Sequence, residues 1–122
     1  MRDVAVVIPT LRRPEGLERA VRSVFAQAEA LERIAAVVVV DNDPDGSAAP
    51  LAERLRYQGP LPLAYVHAPI PGVATARNAG LAATDAPLIA FLDDDEAASP
   101  RWLAALPVSY THLRAHETDS YL

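Results

Sequence analysis

Residues 88–96, with the sequence LIAFLDDDE, join an apolar run directly to four consecutive acidic residues. A short apolar run bounded by charges is typical of a buried strand in a parallel sheet. The acids would then lie at the carboxyl end of that strand, where open α/β sheets bind their ligands. Clustered carboxylates suit Mg²⁺ or Mn²⁺, but acidic runs also occur as solvated turns. The run alone therefore leaves two interpretations, a metal site and an exposed turn.

Three further apolar runs predict strands, because each is short and is followed by turn residues; they span residues 4–8, 35–40 and 63–67. Pro9 and Thr10 are expected to close the first strand, since proline lacks the N–H that a ladder needs. The third strand is predicted to be an edge.

Helical spacing and helix-start residues alternate with these strands. They predict helices that begin at Pro14 and at Pro100, and helices over residues 47–57 and 73–85, with Ser47 and Ser99 as N-caps. The resulting β-α-β-α-β-α-β-α order predicts an α/β fold, a mainly parallel sheet with helices on both faces.

The composition excludes several classes of function. The chain has 122 residues, which suits one small domain and is short for a complete two-substrate enzyme. Cysteine is absent and all eleven basic residues are arginine, so thiolate metal sites, P-loop lysines and Schiff-base lysines are excluded. A net charge of −5 argues against a nucleic-acid surface. The N-terminus lacks the features of a signal peptide, so a cytoplasmic location is expected.

The last sixteen residues differ in character from the rest. Residues 107–122 are poor in alanine and contain His112 and His116, whose spacing is a weak zinc-helix pattern. This segment also resembles the conceptual translation of sequencing-adapter DNA. We therefore predict that residues 107–122 are a non-native tail and that residues 1–106 form the functional part.

Four motifs fall at or near predicted carboxyl ends of strands: PTLR from residue 9, DND from residue 41, GVATARNAG from residue 72 and DDDE from residue 93. In this order they resemble the donor half of family 2 glycosyltransferases of the GT-A fold, over about residues 4–106. The resemblance implies an incomplete, Rossmann-like half domain that binds a nucleoside diphosphate sugar, with a UDP, GDP or dTDP carrier. It also implies a divalent metal, Mn²⁺ or Mg²⁺.

The resemblance assigns the acidic residues as follows. Asp95 is the first choice for metal ligand, with Asp93 sharing the metal or lying near the ribose. Asp93 and Asp95 can cooperate because alternate side chains of an extended segment share a face. Asp94, the middle residue, is counted with the nucleotide-sugar-binding set but is expected to point away from the metal. Glu96 receives no definite role.

The remaining residues that the resemblance places around the nucleotide sugar are Pro9, Thr10, Arg12, Asp41, Arg77 and Asn78. Pro9 and Thr10 would form the floor of the base pocket, with the Thr10 hydroxyl or backbone available to the nucleotide. Asp41 would contact the base or ribose, unless it only forms an Asx turn. Arg77 would contact the diphosphate or pair with the acidic loop. Asn78 and Gly80 either bring the backbone close to the donor or serve helix packing.

The general base of an inverting transfer and the acceptor site are implied to lie in a later segment. The 122-residue product is therefore expected to transfer little or no sugar. Its acceptor, a glycan or a lipid, is unknown, and the full-length enzyme is expected to associate peripherally with membranes. A nucleotidyltransferase is the nearest rival, although the loop after the first strand lacks glycine. An inactive, non-catalytic fragment is the other alternative.

Overall fold

The computed structural model of the protein describes residues 2–106 and 111–113. Within them it has the strands β1 (Val4–Thr10), β2 (Ile34–Asp41), β3 (Leu63–His67), β4 (Leu88–Phe91) and β5 (Thr111–Leu113). The α-helices are α1 (Pro14–Phe25), α2 (Ala49–Gln58), α3 (Val73–Ala82) and α4 (Trp102–Ala105), and a 3₁₀ turn covers Leu31–Arg33. None of the helices in the described residues combines the length and the apolar character needed to cross a membrane.

The five strands form one sheet in the order β3-β2-β1-β4-β5. The first four are parallel, and β5 pairs antiparallel with β4. The predicted α/β class and its four parallel strands are confirmed, and β3 lies at an edge. β5 belongs to the segment that we predicted to be a non-native tail. The origin of that segment stays a prediction, and His116 lies outside the described residues.

Helices cover both faces of the sheet, because the side chains of each strand alternate between two cores. Val4, Val6 and Ile8 of β1 pack in the core formed with α1 and α2, whereas Ala5 and Val7 pack in the core beneath α3. All five of these side chains are essentially inaccessible to solvent. Burial on both faces explains why the strands are continuous apolar runs.

The expectation that the first strand closes before Pro9 is wrong, because β1 continues through Pro9 and Thr10 in register with β2. The Val7 carbonyl accepts a hydrogen bond from Leu92 N–H, so Val7 faces β4. Pro9 lies two residues further and therefore faces the same side. There β4 has already ended at Phe91, so the missing N–H of Pro9 costs the ladder no hydrogen bond.

Two predicted helix caps are also wrong. The second helix begins at Ala49 without a side-chain cap, and the Ser47 hydroxyl bonds instead to Asp43. The last helix is a single turn that begins after Arg101, again without a side-chain cap. Ser99 contributes its carbonyl oxygen, which accepts a hydrogen bond from Gln27 Nε2 at 2.7 Å.

Gly80 allows α3 to pack closely on the sheet. A Cβ atom at this position would lie 2.5 Å from Val7 Cγ1 and 3.3 Å from Val40 Cγ2. Both valines are buried and have few rotamers, so neither can move aside easily. This contact supports the helix-packing interpretation of Gly80.

We expect Gly80→Ala to destabilise the protein, because overpacking costs about 1–3 kcal/mol and exceeds the gain of about 1 kcal/mol in helix propensity. Urea denaturation measures the change in the free energy of unfolding. The matched control is the same substitution in a Val7→Ala background, where the smaller side chain removes the clash. There Gly80→Ala should be neutral or stabilising, and an equal loss in both backgrounds would contradict the packing argument.

Candidate functional site

A cleft of about 440 Å³ opens at the carboxyl edge of the sheet. Its walls come from the ends of β1 and β2, the start of α3 and the acidic turn after β4. Parallel pairing brings these segments together, since the carboxyl ends of parallel strands meet at one edge. The predicted site residues that line the cleft are Pro9, Thr10, Arg77, Asp93, Asp94 and Asp95. Arg12, Asp41 and Asn78 are not part of its lining.

The acidic residues form a turn and not the extended segment that we expected. Glu96 N–H donates to the Asp93 carbonyl oxygen at 3.1 Å, which closes a four-residue turn directly after β4. The turn gathers the exposed carboxylates of Asp93, Asp95 and Glu96, whose oxygen atoms lie within 4.8 Å of one another. Glu96, which had no definite role from the sequence, is thus part of the acidic group.

Asp94 lies outside this group of three carboxylates. Its Oδ2 accepts a hydrogen bond of 2.8 Å from the hydroxyl of Thr10, which is 3% exposed. The Thr10 hydroxyl, which we expected to be available to a nucleotide, therefore donates a hydrogen bond to the acidic turn. The carboxyl end of β1 and the turn after β4 are directly linked through this bond.

Asp41 is buried behind the cleft, with no exposed surface. Its Oδ1 accepts a hydrogen bond from the backbone N–H of Asp43, which is the Asx-turn alternative. Its Oδ2 accepts from Ala48 N–H at 2.8 Å and from the Tyr65 hydroxyl at 2.7 Å. Burial, together with this bond to Asp41, raises the pKa of Tyr65 well above its ordinary value. In this structure Asp41 organises the loop after β2, and its contact with a nucleotide stays a prediction.

Asn42 is a cleft residue that the sequence reasoning did not single out. Its Nδ2 donates to the carbonyl oxygens of Ala68 and Ile70 at 2.8 and 3.0 Å. Its Oδ1 accepts from Gly72 N–H at 3.0 Å. One buried amide therefore holds the segment between β3 and α3 against the end of β2. The only signal in the sequence was a polar amide placed directly after a buried strand.

Arg12 turns toward Asp43 beside the cleft. Its Nε and Nη2 lie 3.1 and 3.0 Å from Asp43 Oδ1, and its Nη2 lies 3.7 Å from Asp45 Oδ2. The side chain of Asp43 is only 1% exposed, whereas that of Arg12 is 62% exposed. A hydrogen bond from Ser47, followed by the pairing with Arg12, lowers the pKa of Asp43 well below its ordinary value.

Arg77 of α3 lines the cleft. Its guanidinium carbon is 5.0 Å from the centroid of the Phe91 ring, a cation–π contact rather than an ion pair with a described carboxylate. Asn78, the next residue of α3, is exposed. The structure thus brings Arg77 to the cleft and leaves Asn78 on the helix surface.

The family model described as glycosyl transferase family 2 matches residues 5–115. The protein is 39% identical over 103 residues to the succinoglycan biosynthesis protein ExoM of Rhizobium meliloti, covering 84% of this chain and 33% of that protein. It is also 39% identical over 106 residues to the pre-mycofactocin glycosyltransferase of Mycobacterium tuberculosis, covering 86% and 20%. The chain belongs to glycosyltransferase family 2, and it spans about a third or less of the length of these relatives.

Solved glycosyltransferase structures have the same fold as this chain. The mannosyltransferase PcManGT of Pyrobaculum calidifontis, in complex with GDP-Man and Mn²⁺, superposes with a TM-score of 0.70 at 25% identity, over 86% of this chain and 33% of that one. TarS residues 1–349 of S. aureus give a TM-score of 0.71 at 21% identity, over 84% and 30%. The predicted GT-A fold is confirmed.

We expect the pairing around Asp43 to make stability depend on pH. The folded-state pKa lies below the ordinary 3.8, so the carboxylate stabilises the fold above that value and the stabilisation is lost as pH falls through the folded-state pKa. The difference in free energy of unfolding between the wild type and Asp43→Asn should therefore be constant above about pH 5 and shrink below about pH 4. Urea denaturation at a series of pH values from above about 5 to below about 4 measures this difference.

Asp45→Asn is the matched control, because Asp45 faces the same arginine from a side chain that is 84% exposed. Its stability should follow the wild-type pH profile. If the free energies of unfolding of the wild type and Asp43→Asn differed by the same amount at every pH, the lowered pKa assigned to Asp43 would be contradicted.

Proposed function

We propose that this chain forms the donor-binding part of a glycosyltransferase, in which the cleft holds a nucleoside diphosphate sugar. The observation that carries the proposal is a cleft at the carboxyl edge of the sheet with three clustered carboxylates beside it. Convergent polar groups at the carboxyl edge of a parallel sheet are the usual arrangement of a nucleotide site. Membership of glycosyltransferase family 2 supports the same function.

The lining suggests how the donor lies. Pro9, Thr10 and Asn42 form the part of the cleft at the ends of β1 and β2, which we assign to the nucleoside. The acidic turn and Arg77 also line the cleft, and we assign them to the diphosphate. Arg77 has a planar guanidinium that suits phosphate oxygens, and its contact with Phe91 holds it at the wall.

We propose that Asp95 and Asp93 hold a divalent metal, and that Glu96 is a further ligand or holds its water. The donor set fits Mn²⁺ or Mg²⁺, because all three groups are carboxylates with oxygen atoms within 4.8 Å of one another. When bound, such an ion offsets the negative charge of the diphosphate leaving group. Asp94 would contribute by fixing the turn, since its carboxylate is bonded to Thr10.

The neighbouring structures guide the choice of donors to test. TarS was solved in complex with UDP and with UDP-GlcNAc, and PcManGT with GDP-Man and Mn²⁺. UDP and GDP are therefore the first ligands to try. The acceptor, a cytoplasmic location and peripheral membrane association stay predictions.

The alternatives from the sequence are less well supported. The family match favours a glycosyltransferase over the nucleotidyltransferase alternative. The loop after β1 turns Arg12 toward Asp43, and this loop contains no glycine, which a triphosphate-binding loop usually has. We assign no general base among the described residues, and we propose that the intact enzyme supplies it from other sequence.

We expect Asp95→Asn to weaken Mn²⁺ binding by about tenfold or more, because a neutral amide replaces one ligand carboxylate at nearly constant size. Isothermal titration of the 122-residue chain with Mn²⁺, alone and with UDP, GDP or dTDP, measures the affinity. The affinity for the nucleotide should rise when Mn²⁺ is present in the wild type and change little in the variant.

Asp85→Asn removes one carboxylate at an exposed position away from the cleft and serves as the control. It should bind Mn²⁺ and nucleotide as the wild type does. Equal losses of Mn²⁺ affinity in both variants would mean that the effect comes from net charge alone. A wild type that binds none of UDP, GDP and dTDP would refute the proposed function.

A further inference from the structure

Thr10 lies in β1, next to the acidic turn, which is outside the helices and strands. Its backbone pairs with Asp41 in the ladder between β1 and β2, and its carbonyl oxygen accepts a hydrogen bond from Asn42 N–H at 2.8 Å. Its hydroxyl, buried with the rest of the side chain, donates to Asp94 Oδ2 at 2.8 Å. The sheet thus holds one atom of the acidic turn at a fixed place.

A second contact involves the backbone of Asp94. A Cβ atom at Gly16 of α1 would collide with the carbonyl oxygen of Asp94. The absence of a side chain at Gly16 therefore lets the first turn of α1 pack directly on the backbone of Asp94. The side chain and the main chain of Asp94 are both fixed by elements outside the turn.

We propose that Thr10 is a positioning residue for the metal site, acting through Asp94 to hold the acidic turn in the conformation that gathers Asp93, Asp95 and Glu96. The inference rests on the proposed function, because it concerns the same metal. It adds a role for a residue that touches none of the three carboxylates and a role for the middle acid of the run.

The physical reason lies in the repulsion between the three carboxylates. Their oxygen atoms lie within 4.8 Å of one another, so like charges favour a turn that spreads them apart. The hydrogen bond from Thr10 opposes this spreading before a cation arrives. Binding then orders fewer groups, which increases affinity through pre-organisation.

The alternative is that the acidic turn keeps its conformation through its own hydrogen bond. The bond between Glu96 N–H and the Asp93 carbonyl closes the turn without help from β1, and Thr10 would then only satisfy a buried hydroxyl. The two accounts differ in what removal of the hydroxyl does to the metal site.

Thr10→Val removes the hydroxyl at nearly constant volume, and Thr10→Ser keeps it. Titration of the 122-residue chain with Mn²⁺ alone should show an affinity about tenfold lower for Thr10→Val and close to the wild type for Thr10→Ser. Thr84→Val is the matched control, because the Thr84 hydroxyl also forms a hydrogen bond, with Ala86 N–H, away from the cleft. Thr84→Val should bind Mn²⁺ as the wild type does.

The route through Asp94 is tested by a double-mutant cycle. Asp94→Ala removes the acceptor, so Thr10→Val should lower Mn²⁺ affinity in the wild-type background and have no further effect in the Asp94→Ala background. Thermal unfolding of each variant shows whether folding is retained. Amide hydrogen exchange in metal-free protein gives a second readout, since the Glu96 N–H should exchange faster in Thr10→Val than in Thr10→Ser.

Wild-type Mn²⁺ affinity in folded Thr10→Val, with unchanged exchange at Glu96, would overturn the inference and leave the proposed function intact. Equal effects of Thr10→Val in both backgrounds would also overturn it, because Thr10 would then not act through Asp94. A wild type that binds no Mn²⁺ at all would overturn the metal assignment and the inference together.

Discussion

The parallel pairing of β1 with β2 on one side and β4 on the other determines where every polar group of the cleft lies. These three strands are buried on both faces and run in the same direction, so their carboxyl ends meet at one edge. Thr10, Asn42 and the acidic turn are far apart in sequence and become neighbours only through this register. If β4 were to slip by one residue, the side chains that follow it would face the opposite side of the sheet.

Buried polar side chains at the end of β2 hold the loops beside the cleft. Asp41 and Asp43 are buried carboxylates, and each is satisfied by hydrogen bonds or an ion pair from its own surroundings. Asn42, between them, holds the segment that leads into α3. Asp41 at the end of β2 and the two residues that follow it therefore serve mainly to fix loops, and the segment that Asn42 holds leads into α3, which carries Arg77.

The sequence predicted the strands, their parallel arrangement and the family, because buried strands and strand-end motifs are local patterns. It did not predict that β1 continues through Pro9, since that depends on where the neighbouring strand ends. It treated the acidic run as extended, because a closed turn and an extended segment share the same residue types. The roles of Asn42 and Thr10 depend on partners 26 to 84 residues away, which no local pattern contains.

The central claim is that a divalent metal binds at the acidic turn beside the cleft. Paramagnetic broadening of backbone amide signals by Mn²⁺ in the presence of UDP or GDP tests it most directly, because the effect falls steeply with distance from the ion. The account predicts that signals from residues 10–13, 76–77 and 93–96 are lost first, while those from residues 34–36 and 63–64, at the opposite ends of their strands, persist. Broadening centred on any other acidic surface, or spread evenly over the protein, would contradict it.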